Sequence, residues 1–393
     1  MTSHHLHFHQ SLSELSAQSL RRTRRVVDGP QRPILEADGV KYLSFCSNDY
    51  LGLASHPGIV DATISAAQRY GVGAAASALI SGHAQAHETL ERELADFVGM
   101  PRALYFSNGY MANIGAITAL VGAGDAVFLD RLSHASLIDG ARLSRAEFSV
   151  YPHNDIARLE HLLAKCRSPR KLVITDAVFS MDGDIAPLAA LTALCERHGA
   201  WLLVDDAHGF GVLGPQGRGS LQHFGLQSDC LVYMGTLGKA AGVAGAFVAG
   251  HADLVEWLMQ RARTYMFTTA NPAMMASAVS ASLAIIGRDE WRRERLREGA
   301  AYLRQRLAPL PWKLLPSSTA IQPLIVGDNQ KARGLMDHLR GRGIWVPAIC
   351  PPTVPKGTAR LRISLSAAHT NEHLEQLTDA LLYAASALAG DAP

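Results

Sequence analysis

The chain has 393 residues, 48% hydrophobic and 18% charged, with a formal net charge of +2. That length suits two or three units around a large core, and the near-balanced charge argues against a general nucleic-acid binder. No apolar run approaches the roughly 18 residues of a membrane span, so neither nucleic acid nor membrane is expected as a partner.

In chain order, residues 1–45 predict an N-terminal helix and a short strand segment. His4, His5, His7 and His9 form a terminal tract that reads as a solvated polar run rather than a metal site. The Arg21–Arg25 cluster after a Ser-rich stretch has some transit-peptide composition, but cytoplasmic residence is expected. Residues 46–286 predict a large α/β domain. Apolar runs at Arg102–Phe106, Ala126–Asp130, Phe148–Pro152, Leu172–Phe179, Trp201–Asp206, Cys230–Met234 and Ala246–Ala249 alternate with helix-like segments. Such near-continuous β-formers predict strands buried on both faces, in a mostly parallel sheet. Residues 287–393 predict a smaller α+β domain. It comprises helices at Glu290–Leu307 and Lys331–Arg340 and strands at Ala320–Val326, Ile344–Ala348 and Ala359–Ser366. A last helix carries Leu374, Leu377, Leu381, Ala384 and Leu388 on one stripe, with Thr370 as N-cap and Gly390 as the stop. Five scattered cysteines (Cys46, Cys166, Cys195, Cys230, Cys350) make no C-x-x-C pair. They fit a reducing compartment, and neither a disulfide framework nor a metal site is expected.

Two motifs mislead. Gly209-Phe-Gly-Val-Leu-Gly214 matches a dinucleotide fingerprint, yet Pro215, Gly217 and Gly219 follow where a helix should open. Gly238-Lys239 lacks the glycine and hydroxyl residue of a P-loop, since Tyr233 and Ala240 occupy those positions.

Lys239 has a covalent reading instead. It follows a strand end among small residues, where an unpaired ammonium is costly to desolvate. That cost vanishes if the amine is consumed in a Schiff base, which is how lysine holds pyridoxal phosphate (PLP). Asp205, near the preceding strand end, can pair with a protonated pyridine nitrogen, and His208 can hydrogen-bond the ring's phenolic oxygen. Ser107-Asn-Gly-Tyr110 leads into a helix whose first amides suit a phosphate, with Gly109 permitting close approach. His134 offers an imidazole to stack on a planar ring. Each feature alone also has an ordinary reading: a solvent-seeking lysine, a polar loop, a βα loop, a structural histidine.

In ordered combination the motifs resemble the α-oxoamine synthases, a branch of the fold-type-I PLP enzymes. They are Ser47-Asn-Asp-Tyr-Leu-Gly52, Asp130-Arg-Leu-Ser-His-Ala-Ser136, Val178-Phe-Ser-Met-Asp-Gly-Asp184, Val204-Asp-Asp-Ala-His-Gly209 and Thr236-Leu-Gly-Lys239. The resemblance implies a mostly parallel seven-stranded sheet with a smaller C-terminal domain. It implies that Lys239 carries PLP, Asp205 faces the pyridine nitrogen, His134 stacks on the ring, and Ser180 and His208 bond near the ring oxygen. Gly109, Tyr110 and Thr236 would hold the phosphate, and Thr269 would reach the phosphate of a partner subunit, implying a homodimer. Arg362 with Asn48 would bind the amino-acid carboxylate, while Arg21, Thr353 and His134 would contact substrate. Ala320-Ile-Gln-Pro-Leu-Ile-Val-Gly-Asp-Asn329 and Pro351-Pro-Thr-Val-Pro355 with Gly357-Thr-Ala-Arg-Leu-Arg362 resemble the branch that joins L-alanine to a pimeloyl thioester. That thioester rides on coenzyme A or acyl carrier protein, and the reaction releases CO2 and the free thiol on the way to biotin. The alternatives are another α-oxoamine synthase, such as a glycine C-acetyltransferase, or a non-catalytic PLP-binding subunit.

The chain departs from the family pattern at three places. Asp176 replaces a glutamate, Gly73-Ala-Ala-Ala-Ser-Ala78 replaces a glycine-rich stretch, and Cys350 replaces an arginine before Pro-Pro-Thr.

Overall fold

The computed structural model describes residues 3–17 and 21–390. Its strands are β1 (Val27–Asp28), β2 (Ile34–Ala37), β3 (Val40–Ser44), β4 (Arg102–Phe106), β5 (Ala126–Asp130), β6 (Glu147–Tyr151), β7 (Lys171–Asp176) and β8 (Trp201–Asp205). They continue as β9 (Leu231–Thr236), β10 (Ala246–Gly250), β11 (Lys313–Leu314), β12 (Ile321–Gly327), β13 (Ile344–Trp345), β14 (Ala348–Ile349) and β15 (Ala359–Ser364).

The central sheet has seven strands in the order β4-β10-β9-β8-β7-β5-β6. Neighbours from β9 to β6 run parallel, and β10 lies antiparallel to both β4 and β9. The inner strands are apolar because both faces are covered, whereas the edge strand β6 is mostly exposed. Val173, Leu202 and Tyr233 face one buried cluster, while Leu172, Ile174, Leu203 and Val232 face the other. The C-terminal ends of β7, β8 and β9 deliver Asp176, Asp205 and Thr236 to one edge. Open α/β sheets collect ligands at that edge.

A second sheet, β11-β12-β15-β14, is antiparallel and brings Arg360 and Arg362 to the same region. The N-terminal arm supplies β1, β2 and β3, and β3 pairs in parallel with β13. The last helix spans Asn371–Gly390; Thr370 Oγ1 accepts from the His373 amide at 3.3 Å. Leu374, Leu377, Leu381 and Ala384 are buried along it, while the Leu388 side chain lies outside the described residues. Among the described residues no helix is long and apolar enough to cross a membrane.

Two expected strands change on folding. The run 344–348 is not one strand: Val346 and Pro347 separate β13 from β14, which belong to different sheets. A proline cannot donate to a ladder, and the Pro347 carbonyl instead accepts from the Arg362 amide at 3.0 Å. The run 172–179 stops at Asp176. Beyond it the chain folds back, with Phe179 N bonded to Asp184 O at 3.0 Å and Gly183 at a φ of 69°. That reversal needs the left-handed conformation glycine adopts freely.

Candidate active site at the carboxyl edge of the central sheet

Three backbone devices build the site. After β9, the Lys239 carbonyl accepts from Gly242 N and the Gly245 carbonyl accepts from Leu237 N, each at 2.9 Å, closing a tight loop that displays Lys239. Gly242 has a positive φ and packs against the Leu53–Ala54 backbone, where a side chain would collide. This brings the Lys239 loop against the segment that carries Asn48 and Tyr50. That segment is fixed by Asp49, whose carboxylate accepts from Leu53 N at 2.8 Å and Ala54 N at 3.0 Å. After β4, Asn108 caps the helix Gly109–Leu120 by accepting from Met111 N at 2.9 Å. The amides of Gly109 and Tyr110 lead that helix, ahead of any acceptor within it. A Cβ built on Gly109 would stand 3.7 Å from Thr236 Oγ1, so this helix start and the end of β9 face each other.

At the base of the crevice a polar chain runs from the buried Asp205, Asn113 and Ser136 out to the exposed His134. Asp205 Oδ2 accepts from Asn113 Nδ2 at 2.7 Å, and the same amide donates to Ser136 Oγ at 2.9 Å. Ser136 Oγ lies 2.8 Å from His134 Nδ1, and the His134 amide donates to Asp176 Oδ2 at 3.0 Å. Asp176 and Asp205 are paired across β7 and β8. Burial, then the Asp205 charge, holds the Asp176 carboxyl well above the usual carboxylate range and favours its neutral form. Burial also lowers His134.

A second chain starts at Lys239, whose Nζ lies 2.9 Å from His208 Nε2; His208 Nδ1 lies 2.6 Å from the Tyr50 hydroxyl. Arg362 donates from Nε to the Ser180 carbonyl at 2.6 Å and from Nη1 to Asn48 Oδ1 at 3.2 Å. Burial brings Lys239 down to about 8, against the pull of Asp205 and Asp176. Burial pushes His208 well below the usual histidine range, helped by the cationic neighbours Lys239 and Arg362.

The Ser180 turn is clamped from outside the crevice. His153 bonds Asp130 Oδ1 at 3.0 Å through Nδ1 and Asp184 Oδ2 at 2.8 Å through Nε2. Burial opposes its charge, but the two carboxylates prevail and raise His153 to about 10. Arg360, buried on β15, holds Met181 O at 3.1 Å and pairs with Asp182.

Of the residues singled out in the sequence, the structure brings together Lys239, His208, Asp205, His134, Asn48, Ser180 and Arg362, with Gly109 facing Thr236. The Tyr110 side chain is exposed and donates to Asp139. Arg21 is exposed on the N-terminal arm, and Thr353 is exposed in a turn, its amide bonded to Cys350 O at 3.2 Å. Thr269 is exposed and bridges Ser77. That bridge ties it to the 73–78 stretch, where Ala75 takes a φ of 58° that a glycine would hold without strain. Sequence reasoning missed Asn113 and Tyr50. The signal for Asn113 was there: one amide a turn into an otherwise apolar helix.

These residues fit PLP. A buried amine lowered to about 8 has the neutral fraction that imine formation needs. A buried carboxylate at a strand end, an imidazole, and a helix start beside a hydroxyl match the pyridine nitrogen, the ring face and the phosphate. Asn113 Oδ1 is buried without a hydrogen-bond partner among the described residues, so the crevice holds polar capacity the protein itself does not use.

The aminotransferase class I and II family model matches residues 40–381. An 8-amino-7-oxononanoate synthase from Polaromonas sp. is 58% identical over 382 residues, covering 95% of this chain and 94% of that protein. SPT solved with PLP superposes with a TM-score of 0.92 at 31% identity, covering 97% of each chain. The solved 8-amino-7-oxononanoate synthase from Francisella tularensis gives a TM-score of 0.78 at 30% identity, covering 88% of this chain and 99% of that one. The chain therefore belongs to the class I and II aminotransferase family, among the PLP-dependent 8-amino-7-oxononanoate synthases.

Proposed function

We propose that the chain condenses L-alanine with a pimeloyl thioester, releasing CO2 and the free thiol, to make the 8-amino-7-oxononanoate of biotin synthesis. One observation carries the assignment of roles. Lys239 stands 2.9 Å from His208 in a crevice that also receives Asp205 from β8 and Arg362 from β15. PLP, when bound, supplies an electron-accepting ring that stabilises negative charge on the alanine Cα.

The chain's own residues do the rest. Lys239 would hold the cofactor, and its amine, when free, would take the α-proton of alanine, a task suited to a lysine near 8. Asp205, held by Asn113 and the Ala207 amide at 3.0 Å, would pair with the cofactor's pyridine nitrogen. Arg362 and Asn48 bind the alanine carboxylate. His134 would stack on the ring, Ser180 and His208 would bond near its oxygen, and Gly109, Tyr110 and Thr236 would hold the phosphate. Arg21 and Thr353 reach the acyl group.

We also assign a homodimer. Leu79 and Ile80 follow Ser77 and Phe267 precedes Thr269, so apolar side chains exposed by 45%, 81% and 67% flank the Ser77–Thr269 bridge. A second copy covering them would bring Thr269 to its phosphate. We also propose a cytoplasmic location, in keeping with soluble reaction partners.

Mixing purified protein with PLP, alanine and pimeloyl-CoA, or the same acyl group on acyl carrier protein, tests the reading. Mass spectrometry should find 8-amino-7-oxononanoate with at least one donor, and borohydride should fix a pyridoxyl group on Lys239. Preference for glycine with a short acyl-CoA, or label on another lysine, overturns it.

A further inference from the structure

Two arginines of β15 point the same way. Arg360 and Arg362 flank Leu361, so their side chains share one face of the strand, with Cβ atoms roughly 7 Å apart. Both are buried, 4% and 5% exposed. Both reach the turn after β7 that carries Ser180. Arg362 Nε donates to the Ser180 carbonyl at 2.6 Å, and Arg360 Nη1 donates to the Met181 carbonyl at 3.1 Å.

Their charges meet different partners. Arg360 pairs with the Asp182 carboxylate. Arg362 donates to the Ser180 carbonyl, the Asn48 amide oxygen, the Ser364 hydroxyl at 2.7 Å and the Tyr50 hydroxyl at 3.5 Å, none of them a carboxylate. A buried cation without a counter-ion is costly, and an arriving carboxylate removes that cost. The turn itself carries two acids that could do the same. Asp184 is held by His153 at 2.8 Å and by Asn154 at 3.0 Å. Asp182 lies two residues past Ser180, and Arg360 is its ion-pair partner.

We propose that Arg360 is a positioning residue that keeps Asp182 away from Arg362, leaving Arg362 open to the carboxylate of the amino acid. The proposal rests on the reading that Arg362 binds that carboxylate. Arg360 touches no reacting atom. By gripping Asp182 and the Met181 carbonyl together it also fixes the adjoining Ser180 carbonyl, which orients Arg362. Released from Arg360, Asp182 would carry its charge on the same turn that Arg362 touches. Attraction between partly buried charges at such range is little screened. An internal carboxylate would then compete with the substrate's.

Alanine affinity tests this without turnover. It is read on the PLP-loaded enzyme from the change in cofactor absorbance as alanine is added, with no acyl thioester present. Arg360→Gln frees the acid and should weaken alanine binding about tenfold, the scale of coupling within one charged network. The KM for pimeloyl-CoA should stay within about twofold. Adding Asp182→Asn to Arg360→Gln removes the competitor, so alanine affinity should return to within about threefold of the parent. A merely structural link would leave the double variant at least as weak as the single one. Arg360→Lys keeps the charge beside Asp182 and should also stay within about threefold. Unchanged affinity in Arg360→Gln, or no recovery in the double variant, overturns the proposal. A tenfold loss in Arg360→Lys overturns it even if Arg360→Gln does not fold. If Arg362→Gln leaves alanine affinity unchanged, the carboxylate assignment falls and takes this proposal with it.

Discussion

The turn after β8 and the clamp between β5 and the 178–184 turn border the same sheet edge, each built around a histidine under opposite electrostatics. His153 in the clamp meets a carboxylate at each ring nitrogen and rises to about 10. His208 in the crevice meets a phenol and an amine, and burial drives it well below the usual range. The clamp supplies every counter-charge and holds two loops in place. In the crevice burial outweighs the pull of Asp205 and Asp176, so Lys239 stays near the pKa a proton transfer needs. Rigidity and reactivity are thus divided between neighbouring regions.

The largest expected effect comes from altering charge inside the crevice. Asp205→Asn keeps an oxygen for the Asn113 amide but loses the carboxylate proposed to pair with the ring nitrogen. Turnover should fall by roughly 10²-fold, about 3 kcal/mol at the barrier, with the melting temperature little changed. Turnover close to the parent's would assign that charge to another residue.

The clamp answers to a stability measurement instead. A histidine whose folded pKa is raised from 6.5 to about 10 contributes stability that is fully present below its unfolded pKa. That contribution is lost as pH rises through the folded value. His153→Ala should therefore lower the unfolding free energy by about 2–3 kcal/mol near pH 7, the worth of hydrogen bonds to charged groups. The gap from the parent should close as the pH passes about 10. A gap that stays constant into alkali would mean the ring acts by packing on Phe179, 4.4 Å away edge-on, rather than by charge.

Legibility in the sequence followed the same division. The buried strands were plain because an uninterrupted β-forming run such as 201–204 has few other uses. Asp205, His208 and Lys239 were legible because each ends or follows such a run. The turn at 178–184 was absorbed into a strand, since Val178 and Phe179 are β-formers and only Gly183 betrays the reversal. Pro347 should have split 344–348 but was outweighed by the apolar residues around it. Tyr50 could not be read, because its place beside His208 depends on Gly242 packing the Lys239 loop against residues nearly two hundred positions away. Asp205 and Asp206 are adjacent acids with separate duties. One enters the crevice, and the other is spent on the Ser220 amide at 2.6 Å and the Tyr233 hydroxyl at 2.7 Å. Side-chain alternation predicts that they diverge, but not which serves which face.

The smallest expected effect lies at the rim, where the chain departs from its relatives' pattern. Cys350 follows β14, is partly exposed, and uses its carbonyl to receive the Thr353 amide. A thiol offers one weak donor and cannot stand in for a guanidinium fork facing an anion. If the rim must meet an anionic part of the acyl substrate, the cation has to come from elsewhere, and Arg21 on the N-terminal arm is the residue assigned to that site. Because Arg21 is exposed, solvent and salt screen its pull. Arg21→Ala should therefore raise the KM for pimeloyl-CoA only about fivefold, less in high salt, with the alanine KM unmoved. Cys350→Arg should shift the same constant by restoring a cation at the turn. Introduced together, Cys350→Arg should recover part of what Arg21→Ala loses, because both changes act on one anion. If the acyl KM ignores both substitutions, Cys350 is a small packing residue and the anion is met elsewhere.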